Sequence, residues 1–270
     1  MSENTEDILK IDQTQSGILR LILNDPNNKN ALSDKLMQLL QNLIFEASSN
    51  DSVKVIIIAA VGDVFCSGHN LKDITAARTD SDSGKEYLYD LFNLCSKLMQ
   101  IITTCSKPVI AEINGVATAA GCQLVASCDL AYASNSAKFA TPGVNIGLFC
   151  STPMVALSRS ISKKDAMKML LTGDMIDCRE AKRISLINDY VSEQELNEYV
   201  INLANKIANK SSSIIKLGKT AFYKQLDLDL SDAYEYTSKI MAKNTLENEA
   251  IEGIEAFLEK RNPNWKENND

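Results

Sequence analysis

The stretch that decides the fold is Lys107–Ser134, KPVIAEINGVATAAGCQLVASCDLAYAS. It predicts a short apolar strand over Pro108–Ile113, an Asn-Gly turn, and a loop of small residues that opens into a helix. A loop with so few bulky side chains leaves the backbone N–H groups at the start of the helix open to a ligand. Such N–H groups bind anions and stabilise a developing oxyanion, so the stretch predicts an anion-binding turn.

Strand and helix patterns continue on both sides of this stretch. The apolar run VKVIIIAA at Val53–Ala60 is typical of a strand buried on both faces, and Gly84–Thr104 has the apolar spacing of a long helix. Short strands are predicted at Leu130–Ala133 and Lys138–Ala140. The alternation predicts parallel strands joined by crossover helices, which is an α/β core. No G-x-G-x-x-G follows a strand, so a dinucleotide-binding fold is disfavoured.

The chain becomes mainly helical from Ser151 onward. Apolar stripes such as Leu196, Tyr199, Val200 and Leu203 indicate helices that either pack on the core or contact another copy of the chain. We therefore expect two parts, a core over residues 1–198 and a C-terminal helical region over residues 199–270.

Composition excludes several classes of function. The chain has 270 residues, 45% of them hydrophobic, and a net charge of −7, which disfavours a nucleic-acid-binding surface. No apolar stretch is long enough to span a bilayer, so no membrane partner is expected. The acidic start Met1–Asp7 lacks both arginine and an apolar run, which argues against a targeting peptide and predicts a cytoplasmic protein.

The cysteines and the histidine do not form a metal-binding pattern. Seven cysteines occur without a C-x-x-C pair, and His69 is the single histidine. An odd number of cysteines in apolar surroundings predicts reduced, buried thiols. We therefore expect no metal site.

A series of short motifs runs along nearly the whole chain: NAL at 30–32, FCSGHNLK at 65–72, KPVI at 107–110, NG at 114–115, CD at 128–129, FATP at 139–142, TGD at 172–174 and FLEKR at 257–261. In this order and spacing they resemble the enoyl-CoA hydratase/isomerase (crotonase) superfamily. The resemblance implies a crotonase-like spiral of repeated ββα turns with a C-terminal helical trimerisation region. It implies a homotrimer, with a hexamer built as a dimer of trimers as the alternative.

The resemblance also implies a ligand, an acyl-CoA thioester of fatty-acyl metabolism. In the family, two backbone N–H groups hold the thioester carbonyl, and the matching positions are His69 and Ala120. No permanently bound cofactor is expected, because coenzyme A enters as part of the substrate. The substrate-binding positions carried over by the match are Lys29, Ala31, Ser67, Asn70, Leu71, Lys72, Val116, Thr141 and Ser151.

The chain departs from the family at both catalytic carboxylates. Gln123 and Gly143 stand where the family's hydratases have two glutamates, and Ser151 stands where its dienoyl isomerases have an aspartate. A carboxamide has no lone pair that is basic near pH 7, so Gln123 cannot remove a proton. The loss of a general base typically slows a reaction about 10²–10⁴-fold. Hydration of an enoyl thioester is therefore expected to be very slow.

Three functions remain open from the residues. The protein binds acyl-CoA at an oxyanion hole; or it stabilises an enolate that forms without a base, as in decarboxylation of a malonyl-type thioester; or it is an inactive acyl-CoA-binding pseudoenzyme. His69 in the oxyanion loop slightly favours the decarboxylation. The other candidate bases lack an activating histidine; they are Asn145, Cys150, Ser151 and Thr152. Asp129 is expected to be structural.

Overall fold

The computed structural model describes residues 8–265, in which ten strands alternate with helices before a helical C-terminal part. The strands are β1 Leu9–Gln13, β2 Ile18–Leu23, β3 Val55–Ala60, β4 Val64–Cys66, β5 Val109–Ile113, β6 Val116–Thr118, β7 Leu130–Ser134, β8 Lys138–Ala140, β9 Ile176–Asp177 and β10 Asp189–Val191. The helices are α1 Asp34–Ser49, α2 Leu71–Ala77, α3 Lys85–Thr104, α4 Ala120–Ser127, α5 Pro153–Ser160, α6 Lys163–Thr172, α7 Cys178–Arg183, α8 Glu193–Ala208, α9 Ser212–Gln225, α10 Leu230–Thr245 and α11 Asn248–Leu258.

The strands form two sheets. The larger has the order β1-β2-β3-β5-β7-β10, and the smaller has the order β4-β6-β8-β9. The consecutive pairs β3–β4, β5–β6 and β7–β8 each contribute one strand to each sheet. Parallel pairing of β4, β6 and β8 brings their carboxyl ends to one edge, where Cys66, Thr118 and Ala140 end the strands. Loops that follow these ends can therefore meet in space.

Apolar residues cover both faces of the larger sheet. Alternate residues of β3 face opposite sides: Ile56 and Ile58 pack with α1 and α3, whereas Val55 and Ile57 pack with α8. All four are fully buried. This burial on both faces is the reason that the run at Val53–Ala60 has no polar alternation.

Helix α8 revises the expected division of the chain. The boundary between residues 198 and 199 falls inside α8, whose buried residues Leu196, Val200, Ala204 and Ala208 pack together against the larger sheet. By packing, the whole of α8 belongs with the core. The C-terminal helical layer begins at α9. Residues 1–7 and 266–270 of the two expected parts lie outside the described residues.

The long elements and the short strands β7 and β8 agree with the sequence patterns, whereas three other short strands were not predicted. The predicted helix over Gly84–Thr104 is α3, and the predicted strand over Pro108–Ile113 is β5. Strands β4, β6 and β9, with two or three residues each, are too short to show a periodic pattern. The expectation of parallel strands holds for most pairs, but β1 pairs antiparallel with β2, and β9 pairs antiparallel with β8.

Helix α9 is tied to the core by a buried ion pair. Lys219 Nζ lies 2.7 Å from Asp129 Oδ2 and donates two further hydrogen bonds, to the carbonyl oxygens of Ile102 and Lys107. Asp129 also accepts hydrogen bonds from Tyr223 Oη and from the backbone N–H of Val109. The structural role expected for Asp129 is therefore confirmed. Across residues 8–265, no helix combines the length and the apolar character that a membrane span requires.

Candidate functional site

Helix α4 begins with an open backbone N–H group. Ala119 precedes it with φ +51° and forms no side-chain cap, while its own N–H donates to the carbonyl oxygen of Ala140 at 3.0 Å. Ala120 is the first residue of the helix, so its N–H has no acceptor within the helix. It also donates to no other described residue. This N–H is the first of the two donors that the family resemblance implies.

The second donor lies in the loop after β4, which we call the oxyanion loop (residues 67–70). The His69 N–H also has no acceptor among the described residues. Gly68 has φ +88°, and a Cβ there would lie only 3.0 Å from the backbone nitrogen of Ala120. The loop therefore lies directly against the start of α4, and glycine at position 68 permits this close approach.

Two backbone hydrogen bonds hold the oxyanion loop from the other side. The Ser67 N–H donates to the carbonyl oxygen of Lys29 at 3.1 Å, and the Leu32 N–H donates to that of Gly68 at 2.8 Å. Asn30 anchors the same segment, because its buried Nδ2 donates to the carbonyl oxygens of Val61 and Val64. The donors of the site are thus set by packed backbone. In the sequence Asn30 is recognisable only as a family marker, because its anchoring role depends on residues more than 30 positions away.

Gly121 lets α4 approach β4. A Cβ on Gly121 would overlap the carbonyl oxygen of Cys66, so no larger residue fits without a shift of the helix. The glycine therefore decides the distance between α4 and the oxyanion loop.

The imidazole of His69 is sequestered beside α1 and α3. Its ring packs edge-on against Phe92 with the centroids 5.4 Å apart, and both ring nitrogens are buried without a hydrogen-bond partner. Burial lowers the pKa of His69, and the nearby backbone of Leu32 and the charge of Asp34 only partly oppose this effect. The ring is therefore held neutral at pH 7, and the structure leaves the backbone N–H of His69, rather than its ring, available to a ligand.

Gln123 follows Ala120 on the buried face of α4. Its side chain is 3% exposed, and the Cys95 thiol donates a weak hydrogen bond to Oε1 at 3.9 Å. With Oε1 directed at Cys95, the amide Nε2 has no acceptor among the described residues. Gln123 can therefore donate hydrogen bonds to a ligand, but it cannot act as a base.

Residue 143 has no room for a side chain. Gly143 begins the turn after β8, and a Cβ there would lie 2.8 Å from the carbonyl oxygen of Leu148 and 2.9 Å from Cys150 Sγ. The Leu148 N–H donates to the carbonyl oxygen of Gly143 at 2.9 Å, which fixes this arrangement. The thiol of Cys150 therefore borders the space that a side chain at position 143 would enter.

Thr141 directly follows β8, at the edge of the small sheet where the oxyanion donors lie. Two other predicted substrate-binding residues, Ser151 and Val116, lie in different surroundings. Thr141 is fully buried, and its Oγ1 has no hydrogen-bond partner. Ser151 is exposed in the turn before α5. Val116 lies at the opposite end of the small sheet, in register with Val64 and Lys138, so the structure does not bring it to the oxyanion donors.

The remaining predicted substrate-binding residues surround the oxyanion loop. Lys29 and Lys72 are exposed, Leu71 is 51% exposed, and Ala31 is buried. Asn70 begins α2, and its Oδ1 accepts a hydrogen bond from the backbone N–H of Lys72 at 3.0 Å. Two cations therefore lie at the surface beside the pair of open N–H groups, an arrangement that suits phosphate groups.

The thiols near the site are buried and protonated. Burial raises the pKa of Cys66, Cys95 and Cys122 to about 12, and it also raises the pKa of Cys150. No thiol in the described part of the chain forms a disulfide. Within residues 8–265 no group of three metal-ligating side chains occurs.

The contact of Cys95 with Gln123 could not be predicted from the sequence. Helical periodicity places Cys95 on the buried face of α3, but it cannot say which residue of α4 lies opposite. Cys150 was considered as a base and set aside for want of a partner, and its contact with Gly143 depends on the turn that follows β8.

Comparison with known proteins places these features in a family. The family model described as enoyl-CoA hydratase/isomerase matches residues 13–268. A curated relative, enoyl-CoA hydratase domain-containing protein 3, mitochondrial, from Xenopus laevis, is 48% identical and covers 95% of this chain and 86% of its own.

Two crystal structures are similar over almost the entire chain. The human enoyl-CoA hydratase domain-containing protein 3 has a TM-score of 0.90 at 46% identity, covering 96% of this chain and 100% of its own. An enoyl-CoA hydratase from Mycobacterium smegmatis has a TM-score of 0.91 at 40% identity, covering 96% and 98%.

The comparison also corrects the expected location. Similar relatives from frog, rat, mouse and human are named as mitochondrial proteins, which contradicts the cytoplasmic expectation. That expectation rested on the composition of Met1–Asp7, which lies outside the described residues. The composition of so short a stretch is a weak guide to the compartment of a protein.

Proposed function

Because the chain belongs to the enoyl-CoA hydratase/isomerase family, we propose that it binds acyl-CoA thioesters with the carbonyl oxygen between the N–H groups of His69 and Ala120. The observation that carries this proposal is that both N–H groups lack an acceptor while Gly68 holds their two segments in contact. Two fixed dipoles in a site shielded from water stabilise an oxyanion strongly, and one such donor contributes about 2.7–4 kcal/mol.

The coenzyme A arm is proposed to lie across the exposed side of the oxyanion loop. Lys29 and Lys72 supply positive charge there, and exposed Leu71 supplies an apolar surface. Charge-assisted hydrogen bonds from lysine to phosphate account for the expected affinity. Val116 has no place in this arrangement because it lies at the other end of the small sheet.

A second candidate function is the decarboxylation of a malonyl-type thioester. It is favoured by the filled space at Gly143, which leaves the site with hydrogen-bond donors and without a carboxylate there. Loss of CO₂ forms the enolate without a base, and the oxyanion hole stabilises it. The buried ring of His69 takes no part in this reaction. The backbone N–H of His69 does, because it holds the enolate oxygen.

We also propose the finer architecture that the family implies. The alternation of consecutive strands between two sheets supports a spiral of ββα turns. Exposed apolar side chains on α9, α10 and α11 support a trimer formed through the C-terminal layer, among them Phe222, Leu230 and Phe257.

The binding proposal can be tested by calorimetry with two matched ligands. Butyryl-CoA carries the thioester carbonyl, whereas its S-butyl thioether analogue lacks it. We expect the thioester to bind about tenfold more tightly, since two hydrogen bonds contribute about 0.5–1.5 kcal/mol each. The variant Ala120→Pro, which removes one donor, should reduce this difference without weakening the thioether.

Charge variants test the other half of the ligand. Lys72→Ala should weaken both ligands equally, and Lys138→Ala, at the far end of the small sheet, should weaken neither. Equal affinities of thioester and thioether for the unmodified protein would refute the oxyanion hole.

A further inference from the structure

We propose that the thiol of Cys150 donates the proton that converts an enolate bound at this site into the product acyl-CoA. The inference rests on the second candidate function above, because it requires that an enolate is formed. Cys150 is not at position 143 in the sequence, but its thiol approaches that position in space. The inference gives this thiol a catalytic role.

The position of the thiol is the first support. Cys150 Sγ lies 2.9 Å from the point that a Cβ on residue 143 would occupy. Cys150 also lies near Cys122, in the first turn of α4. The thiol is therefore placed between the turn after β8 and the helix that begins with Ala120.

The surrounding groups point to a ligand at this place. Thr141, two residues before Gly143, is fully buried and leaves its Oγ1 without a partner. Buried polar atoms are rarely unpartnered in the absence of a ligand or water. Gln123 Nε2, held by the contact of Oε1 with Cys95, is a further donor. These groups, with the N–H groups of His69 and Ala120, suit an anion.

The protonation state of the thiol decides which reaction it can perform. Burial raises the pKa of Cys150, and no histidine contacts it within the described residues. A thiol that keeps its proton at pH 7 is an acid rather than a nucleophile or a base. Cys150 therefore cannot create an enolate by removing a proton, but it can end the reaction by giving one.

The steps balance without another reagent. The bond between the α-carbon and the carboxylate breaks, CO₂ leaves, and its electron pair forms the enolate held by His69 and Ala120. The α-carbon then takes the proton of Cys150, so that a C–H bond forms and the S–H bond breaks. The thiolate recovers a proton from water, and the hydroxide combines with CO₂ to give bicarbonate.

The test is decarboxylation of methylmalonyl-CoA in D₂O by the full chain, with two readouts. Release of CO₂ reports the candidate function, and the configuration of the deuterated α-carbon in the propionyl-CoA product reports the proton donor. The variants are Cys150→Ala and the isosteric Cys150→Ser, and the matched control is Cys178→Ala, a buried thiol on α7.

We expect the unmodified protein and Cys178→Ala to give one enantiomer of the deuterated product. Both Cys150 variants should still release CO₂, but their product should approach a racemate because solvent then protonates the enolate from either face. A single enantiomer from every variant, or a racemate from the unmodified protein, would overturn the role of Cys150 alone. No CO₂ from the unmodified protein would overturn the candidate decarboxylation and this inference together, while acyl-CoA binding is judged separately by calorimetry.

Discussion

At the scale of single residues, Gln123 and Gly143, which the family resemblance matches to two glutamates, differ in their physical consequences. Gln123 keeps the size and the place of a glutamate and loses its basicity. Gly143 loses the side chain, and the neighbouring turn has closed into the vacated space, with Leu148 and Cys150 against it. Position 123 differs from a glutamate in chemistry, and position 143 differs in shape. Restoring a glutamate is therefore expected to be easier at position 123 than at position 143.

This difference predicts how restored glutamates will behave. Gln123→Glu should fold with little loss of stability, because it adds no volume. Gly143→Glu should destabilise the protein by about 1–3 kcal/mol, the usual effect of forcing atoms into a packed region. Chemical denaturation measures both free energies of unfolding.

The same variants address catalysis. We expect the double variant not to hydrate crotonyl-CoA efficiently, since a glutamate at position 143 cannot enter the present turn. Efficient hydration by the double variant, followed by absorbance of the enoyl thioester, would show that the turn opens readily and that only the carboxylates were lost.

At the scale of elements, the site depends on how closely α4 approaches β4. The two donors come from different elements, Ala120 from α4 and His69 from the loop after β4. Gly121 sets the approach because its missing Cβ leaves room for the carbonyl oxygen of Cys66. The start of α4 alone would offer one donor, the N–H of Ala120. The contact of α4 with the loop after β4 adds the second donor, the N–H of His69.

A pair of glycine variants tests this geometry. Gly121→Ala should push α4 away from β4, remove the preference for thioester over thioether and destabilise the protein. Gly218→Ala, inside α9 with no atom within 4 Å of the added Cβ, should instead stabilise the protein by about 1 kcal/mol. Calorimetry and thermal unfolding measure the two effects. Unchanged ligand preference in Gly121→Ala would contradict the assigned role of Gly121.

Helix α9 offers a second prediction at this scale. Lys219→Met leaves the Asp129 carboxylate without its cation and should cost about 3 kcal/mol, as removal of one partner of a buried pair does. Amide hydrogen exchange should accelerate throughout α9. The exposed neighbour Lys216→Met is the control, and equal protection of α9 in both variants would rule out an anchoring role for Lys219.

At the scale of the whole molecule, the C-terminal layer exposes several large apolar side chains. Phe257, Leu246 and Leu230 are 82%, 79% and 76% exposed. Large exposed apolar patches mark interaction surfaces. The surface lies on the layer that Lys219 fastens to the core, so association of copies and integrity of the core are expected to be linked.

The proposed trimer has a direct test. Light scattering coupled to size-exclusion chromatography should give about three times the chain mass of 29.7 kDa, or about six times if two trimers pair. Phe257→Glu together with Leu230→Glu should lower the mass towards one chain, because charge is costly to bury. A mass of one chain for the unmodified protein would refute the assembly.

Periodicity and local composition predict the α/β class, the long helices and strands, and a loop of small residues at a helix start, because these features depend on neighbours along the chain. The family resemblance adds the assignment of that helix start to Ala120 and the absence of a carboxylate at positions 123 and 143. Only tertiary packing shows the contact of Gly68 with Ala120, the sequestered ring of His69, the direction of the Gln123 amide and the approach of Cys150 to residue 143. It also separated Val116 from the site and joined α8 to the core. These features depend on segments far apart in the chain, and only the packing of the two sheets brings them within reach.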